Sequence, residues 1–316
     1  MLLFAMKKFI ILFILVVLFL AVVIGNCSDD SIDMDDSTTI VSSTEKREEQ
    51  NGKKDIVRET IPTEGNIHIE IPRAPHLTDE QILSRKAYTT SYNCNTKCPN
   101  WVAWHLTSDH TDGPFARKGV PYFSDDGIVE GIGPVTQETC KNGYFVDLES
   151  KEPRQQISDW TRDYNMSHGH MCPAGDNKWD KAAMNQSFLL TNMCPQDGKL
   201  NGGGWKKLEE KCRVWANQYG DIYIVAGPIF NEPISRTLGE GKIAVPDAFF
   251  KVVLCLEGTP KAIGFLYKND PSSQSIEDSA CSVDNVEDIT GFDFFYSLPD
   301  DIEDSVESDS NLKKWH

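Results

Sequence analysis

The chain has 316 residues, of which 40% are hydrophobic, 10% aromatic and 25% charged. That composition can bury a core, and it excludes a wholly disordered chain, a collagen and a multi-span membrane protein. The formal net charge is −17, so overall basicity cannot be what recruits a nucleic acid, and nine cysteines raise the question of compartment.

The N-terminus bears on compartment. Lys7-Lys8 precede sixteen uncharged apolar residues, 9–24. A basic start and a short apolar run form the pattern of a secretory leader, and the run is short for a membrane span of about 20 residues. Met6 is a second candidate start, because the pattern begins there. Gly25-Asn26-Cys27, followed by Ser28-Asp29-Asp30, resembles a bacterial lipoprotein acylation site, although Asn26 departs from the small residue usual before the cysteine. The expectation is a leader over 1–27 and an exported protein of the cell envelope, held to the membrane by a lipid on Cys27. A periplasmic or secreted protein and a retained anchor are the alternatives. Residues 28–65 hold eleven acids and five bases without a sustained apolar period. They read as a disordered acidic tether that Pro62, Pro72 and Pro75 extend to residue 76. Eight cysteines remain beyond Cys27. An even number in an exported chain permits disulfides without fixing their pairing. Cys94 and Cys98 could staple a loop, while Cys212 and Cys255 lie in apolar segments and read as buried thiols.

The expected domain spans 77–300. Tyr88-Thr-Thr-Ser-Tyr92 and the run from Trp101 to Thr107 read as strands, rich in aromatic and β-branched residues. Residues 178–188 read as a helix and 189–191 as a short strand at best. Trp205, Leu208, Cys212 and Trp215 recur at spacings of three and four, which predicts an amphipathic helix over 204–219, ended by Gly220. Residues 221–225, 249–256 and 262–267 read as strands. Long strands mixed with helices, without βαβ alternation, predict an α+β fold. Residues 270–309 hold thirteen acids and no bases, and 301–316 read as a solvated acidic tail. Residues 160–213 carry eight bases against six acids, a small local positive field suited to a phosphate.

The chemistry lies in Ser167-His168-Gly169-His170, then Asn192-Met-Cys-Pro-Gln196, Leu200-Asn201, and Trp205 through Glu209 to Arg213. His170 titrates near neutral pH and can take a proton from water. Asn201 offers a neutral oxygen to a hard cation, and Mg²⁺ keeps most of its waters, so one protein ligand can suffice. Glu209 could accept hydrogen bonds from those waters. Arg213, four residues on, shares its helix face and could meet a phosphate oxygen.

These motifs resemble the DNA/RNA non-specific endonuclease family, the ββα-metal (His-Me finger) nucleases. Its pattern runs Asp-Arg-Gly-His, Asn-Met-x-Pro-Gln, Leu-Asn and Trp-x-x-Leu-Glu-x-x-x-Arg, and here it extends from about Tyr88 to Pro228 and beyond. The resemblance implies a central antiparallel β-sheet with flanking helices and a ββα-metal motif. It implies a sequence-tolerant, metal-dependent endonuclease acting on DNA, with RNA as a second candidate substrate, that leaves 5′ phosphates. In that reading His170 is the general base, Asn201 the direct Mg²⁺ ligand (Mn²⁺ being a candidate substitute), and Glu209 the holder of metal-bound waters. Asn192 supports the site, Arg213 contacts phosphate, and Arg117 stands where the family often carries a basic residue for the transition state. Some relatives dimerise, which leaves a homodimer open. One departure stands out: Ser167-His168 replaces Asp-Arg. Histidine carries charge only when protonated and lacks the arginine fork, so weaker activity or an acid-shifted optimum is expected. Two other readings remain. His168, His170 and Cys172 could be zinc ligands, or the domain could be a degenerate nuclease that binds nucleic acid or a surface partner. Asp176 and Asn177 are expected to cap the helix that follows them.

Overall fold

A computed structural model describes residues 68–77, 79–121, 127–160 and 166–315. In chain order come β1 (Gln81–Ser84), β2 (Thr89–Asn93), β3 (Cys98–Thr107) and β4 (Met166–His170). Helix α1 (Lys181–Gln186), β5 (Met193–Asp197), helix α2 (Lys206–Tyr219) and β6 (Asp221–Ile229) follow. The chain continues through β7 (Ala248–Cys255), β8 (Lys261–Lys268), β9 (Ala280–Cys281), α3 (Val283–Thr290) and α4 (Asp300–Glu307). Short hairpins pair 127–129 with 133–135, 140–141 with 144–145, and 237–238 with 243–244. The leader, Cys27 and the tether as far as residue 67 lie outside the described residues.

Seven strands form one antiparallel sheet in the order β1-β2-β3-β6-β7-β8-β9. The pleat sends successive side chains to opposite faces. Val102, Trp104 and Leu106 of β3, Ile222 and Ile224 of β6, and Phe249 and Val253 of β7 face one way. They pack with Trp205, Leu208, Cys212 and Trp215. Trp101, Ala103, Val225, Phe250 and Val252 face the other way and pack with Val283, Val286, Phe292, Phe294 and Val306. Both faces are covered, so the strands are apolar throughout rather than alternating with polar residues.

The helix predicted over 204–219 forms as α2 from residue 206. It buries the expected stripe and ends at Gly220, whose φ of +96° continues the chain in a conformation that glycine adopts freely. Residues 189–191 differ from the expectation: Leu190–Asn192 is a 3₁₀ turn, and the strand follows it as β5. Asp180 rather than Asp176 or Asn177 caps α1, accepting from the Ala183 amide at 2.9 Å. All eight described cysteines are free thiols.

Packing extends past both ends of the expected 77–300 span. Ile69 is buried in the second core, and Arg73 pairs with Asp293. The acidic end is not a free tail. Val306 on α4 is buried, and Trp315, 1% exposed, packs at a tilt against Trp215, ring centroids 4.7 Å apart. Among the described residues no helix is long and apolar enough to cross a membrane.

Candidate active site

β4 and β5 pair as a hairpin, with His170 opposite Met193 and Gly169 opposite Cys194. A Cβ on Gly169 would come within 2.6 Å of the Gln196 side chain, so glycine lets the two strands close. After β5 the chain enters a wide turn, Asn201–Trp205, closed by hydrogen bonds five residues apart and broken at Gly203 (φ −112°, ψ −109°). Such turns recur at functional sites because they lift a residue out of helical register. Here the turn presents Asn201 and leads directly into α2. Hairpin, turn and helix together are the ββα unit.

The unit opens on a cleft of about 500 Å³ lined by Arg117, Tyr144, His168, His170, Asn201, Lys206, Glu209 and Arg213 among others. Six of the seven residues singled out from sequence therefore meet at one cleft. Asn192 does not line it. Its side chain is buried behind, accepting from the Cys172 amide (2.9 Å) and donating to the carbonyls of Cys172 and Ser187 (both 2.8 Å). It fixes the turn after His170, and the Trp205 indole, donating to the His170 carbonyl at 3.2 Å, fixes the strand end itself.

His170 is only 9% exposed, its ring set edge-on to Phe188 at 5.0 Å. The ring hydrogen-bonds the His168 backbone, and Nε2 has no partner. Burial, and then the nearby Arg117 charge, push its pKa down to about 3, so the ring is neutral and Nε2 is the proton acceptor. Glu209 is half-buried. Burial pushes it up to about 7, against the pull of Lys251, while Asp176 adds to the rise and Arg213 opposes it. Among the described residues no side-chain hydrogen bond or ion pair engages Glu209 or the Asn201 amide.

Arg213 lines the cleft and is held there by a carboxylate that the motif did not include. Its Nη1 pairs with Asp176 at 2.8 Å, and Asp176 also accepts from the Trp104 indole at 3.1 Å. The guanidinium crosses over Gly175, where a Cβ would lie 2.8 Å from Nη1. One end of Arg213 is thus committed to a buried carboxylate, which fixes the guanidinium at the cleft. Arg117 is exposed at the rim and donates to the Tyr144 hydroxyl at 2.7 Å.

His168 overturns the charge expected of it. Its ring lies between Tyr144 (3.9 Å) and Trp160 (3.7 Å), stacked on both. Burial, reinforced by His170 and Arg117, pushes it down to about 3, so it stays neutral at the mildly acidic pH that was expected to charge it. The zinc reading loses its geometry as well. Cys172 is fully buried against Asn177, and the one group of three acidic, histidine or cysteine ligand atoms that converges among the described residues is Asp284, Glu287 and Glu307.

Sequence reasoning missed four residues. Tyr144 comes from a short hairpin and Trp160 from a turn, and no spacing links them to His168. Lys206 lines the cleft with its ammonium exposed, next to the motif that was read. Lys251 is fully buried beneath the site, its ammonium 4.4 Å from the Trp205 ring and 5.3 Å from that of Trp104. A lone lysine inside the apolar run 249–256 was the available signal.

Comparison with known proteins bears on this arrangement. The sequence pattern of the family described as DNA/RNA non-specific endonuclease matches residues 68–301. The mitochondrial nuclease EXOG of Danio rerio is 29% identical over 226 residues, 67% of this chain and 60% of that protein. The nuclease of Serratia marcescens is 27% identical, over 72% of this chain and 79% of its own length. The chain thus spans about three-fifths of the mitochondrial relatives' length. The crystal structure of the EndoG/EndoGI complex contains a chain of the same fold, with TM-score 0.57 and 24% identity over 69% of this chain and 86% of that one.

Proposed function

The chain belongs to the DNA/RNA non-specific endonuclease family, and from that premise we propose that it is a metal-dependent phosphodiester hydrolase. Its proposed substrates are DNA and RNA, cut with little sequence preference to leave 5′ phosphates. The observation that carries this reading is the cleft itself. An unpartnered basic nitrogen on His170 shares it with an uncommitted amide and an uncommitted carboxylate, Asn201 and Glu209.

The donor set suits a hard divalent cation. Asn201 and Glu209 supply oxygen ligands, and among the described residues neither has a side-chain partner to give up. Asn201 would hold Mg²⁺, or Mn²⁺ in its place, and Glu209 would hold the ion's waters. When bound, the cation supplies positive charge to the phosphate and to the leaving 3′ oxygen. His170 Nε2 accepts the proton of the attacking water. Substrate phosphate beside Arg117 counters the charge that depresses His170, which moves the base toward the range useful near neutral pH. Arg117 and Lys206 give the cleft rim its positive field. A cleft that meets phosphate with these groups reads backbone rather than base edges, which fits sequence tolerance. The lipoprotein-like start at residues 1–27 supports action outside the cytoplasm, at the envelope.

Cleavage of plasmid DNA and of single-stranded RNA by the full chain tests this. Mg²⁺-dependent cleavage, abolished by EDTA and lowered about 10²–10⁴-fold in His170→Ala, is the expected result. A folded wild-type protein that binds nucleic acid without cutting it would instead be a degenerate relative.

A further inference from the structure

Away from the cleft, on the far face of the sheet, α3 and α4 bring three carboxylates together. Asp284 and Glu287 lie three residues apart on one face of α3, and Glu307 ends α4. One oxygen of each lies within 4.8 Å of the others. An acidic cluster on a surface is commonplace, and here the third member is what differs. Glu307 is 6% exposed, and its Oε1 is buried without any hydrogen-bond partner. Glu287 accepts from the Phe294 amide at 2.7 Å through Oε1, which leaves its second oxygen.

Among the described residues no base acts on the group. Asp293, Glu303 and Asp304 also act on these carboxylates, and Asp288 acts on Asp284. The nearby arginine, Arg73, is paired with Asp293. The segment 270–309 contains no lysine or arginine at all. Burial first, and then Glu287, Glu303 and Asp284, push Glu307 up to about 9. A buried unpartnered carboxylate among other carboxylates is costly unless a proton or a cation joins it.

We propose that Asp284, Glu287 and Glu307 form a structural Ca²⁺ site that clips α4 onto α3, independent of the catalytic cleft. Three carboxylate oxygens gathered within 4.8 Å of one another suit a hard cation, and a site shared by two helices and completed by water fits the irregular shell that Ca²⁺ accepts better than the near-octahedral order that Mg²⁺ demands. Asp284 is exposed, so water can complete the coordination shell from that side.

The experiment uses the full chain carrying Glu209→Gln, which removes a metal-holding carboxylate from the cleft. Thermal unfolding at neutral pH is compared in EDTA, in Ca²⁺ and in Mg²⁺, and Ca²⁺ binding is measured by calorimetry. The expected result is one Ca²⁺ per chain, a Tm rise in Ca²⁺ and a smaller one in Mg²⁺. Adding Glu307→Gln should abolish the Ca²⁺ response and raise the Tm in EDTA, because the amide is neutral without taking up the proton that folding forces on Glu307 at neutral pH. Asp284→Asn, at an exposed position, should weaken Ca²⁺ binding at least ten-fold while leaving the fold intact. An unchanged Tm in Ca²⁺, or a Ca²⁺ response that survives Glu307→Gln and Asp284→Asn, would overturn the site. Nuclease failure would not touch it, because neither readout is activity.

Discussion

His168 stands where the family pattern has arginine, and its surroundings decide what the exchange does. The ring is held between Tyr144 and Trp160, where a proton would cost desolvation and meet the nearby His170 and Arg117. Its contribution is therefore flat and apolar. His168→Phe, which preserves a ring but cannot titrate, should leave the shape of the pH–rate profile unchanged. An acidic limb displaced by more than about half a unit would show that protonation of His168 matters after all. His168→Arg tests the same slot from the other side. A guanidinium is planar and stacks on aromatic faces, so it can enter the sandwich and bring the permanent charge that the family pattern has there. The rate at neutral pH should rise roughly ten-fold, the scale of one charge-assisted contact, and steady-state kinetics on plasmid DNA would read it.

At the scale of elements, the Asp176–Arg213 pair joins the loop after β4 to α2. Asp176 is 1% exposed and Arg213 19% exposed, so the pair is largely out of water. Arg213→Ala leaves a buried carboxylate with the Trp104 indole and the more distant Lys251 charge, and should cost about 3–5 kcal/mol, read as a lower urea midpoint at unchanged slope. The pH dependence has a definite sign. Burial already raises Asp176, and losing Arg213 raises it further. A carboxyl raised in the folded state binds its proton more tightly there than in the unfolded chain. The penalty is therefore absent below the unfolded value and grows as pH rises through it. The deficit of Arg213→Ala should be largest near neutral pH and shrink toward pH 4. Arg213→Met combined with Asp176→Asn should recover most of it.

This scale also shows what sequence could reveal. Helix α2 was legible because its apolar residues keep a 3.6-residue period over four turns. The long sheet strands were legible because they are runs of β-branched and aromatic residues. Strand β5 was not, since Met-Cys-Pro-Gln-Asp has no alternation and all five positions are buried. The cleft residues were legible through ordered motifs. The partners that set their charge, Tyr144, Trp160 and Lys251, are brought in only by the fold. Acidic composition hid α4 and Trp315, because the few apolar residues there are spaced for packing and outnumbered by carboxylates.

Across the whole molecule, the two covered faces of the sheet carry different duties, and the C-terminal residues serve both. Val306 seals the face opposite the cleft, and Trp315 closes the end of α2 on the cleft side. The Trp315 ring packs on Trp215 and Tyr219, while its backbone carbonyl accepts from the Trp215 indole at 2.7 Å. These two roles can be separated. Trp315→Ala removes the ring but keeps the carbonyl, and should cost about 3–5 kcal/mol, as large-to-small core changes do. Deleting 309–316 removes both, so the buried Trp215 N–H also loses its acceptor, a further loss of about 1–3 kcal/mol. Although Trp215 shares α2 with Glu209 and Arg213, it packs in the core and does not line the cleft, so the damage should reach the cleft only through unfolding. Well below its lowered Tm, Trp315→Ala should therefore cleave DNA at the wild-type rate, while near that Tm activity and the circular-dichroism signal should fall together. A rate already depressed in fully folded Trp315→Ala would mean instead that the C-terminal residues set the geometry of α2 as well as its stability.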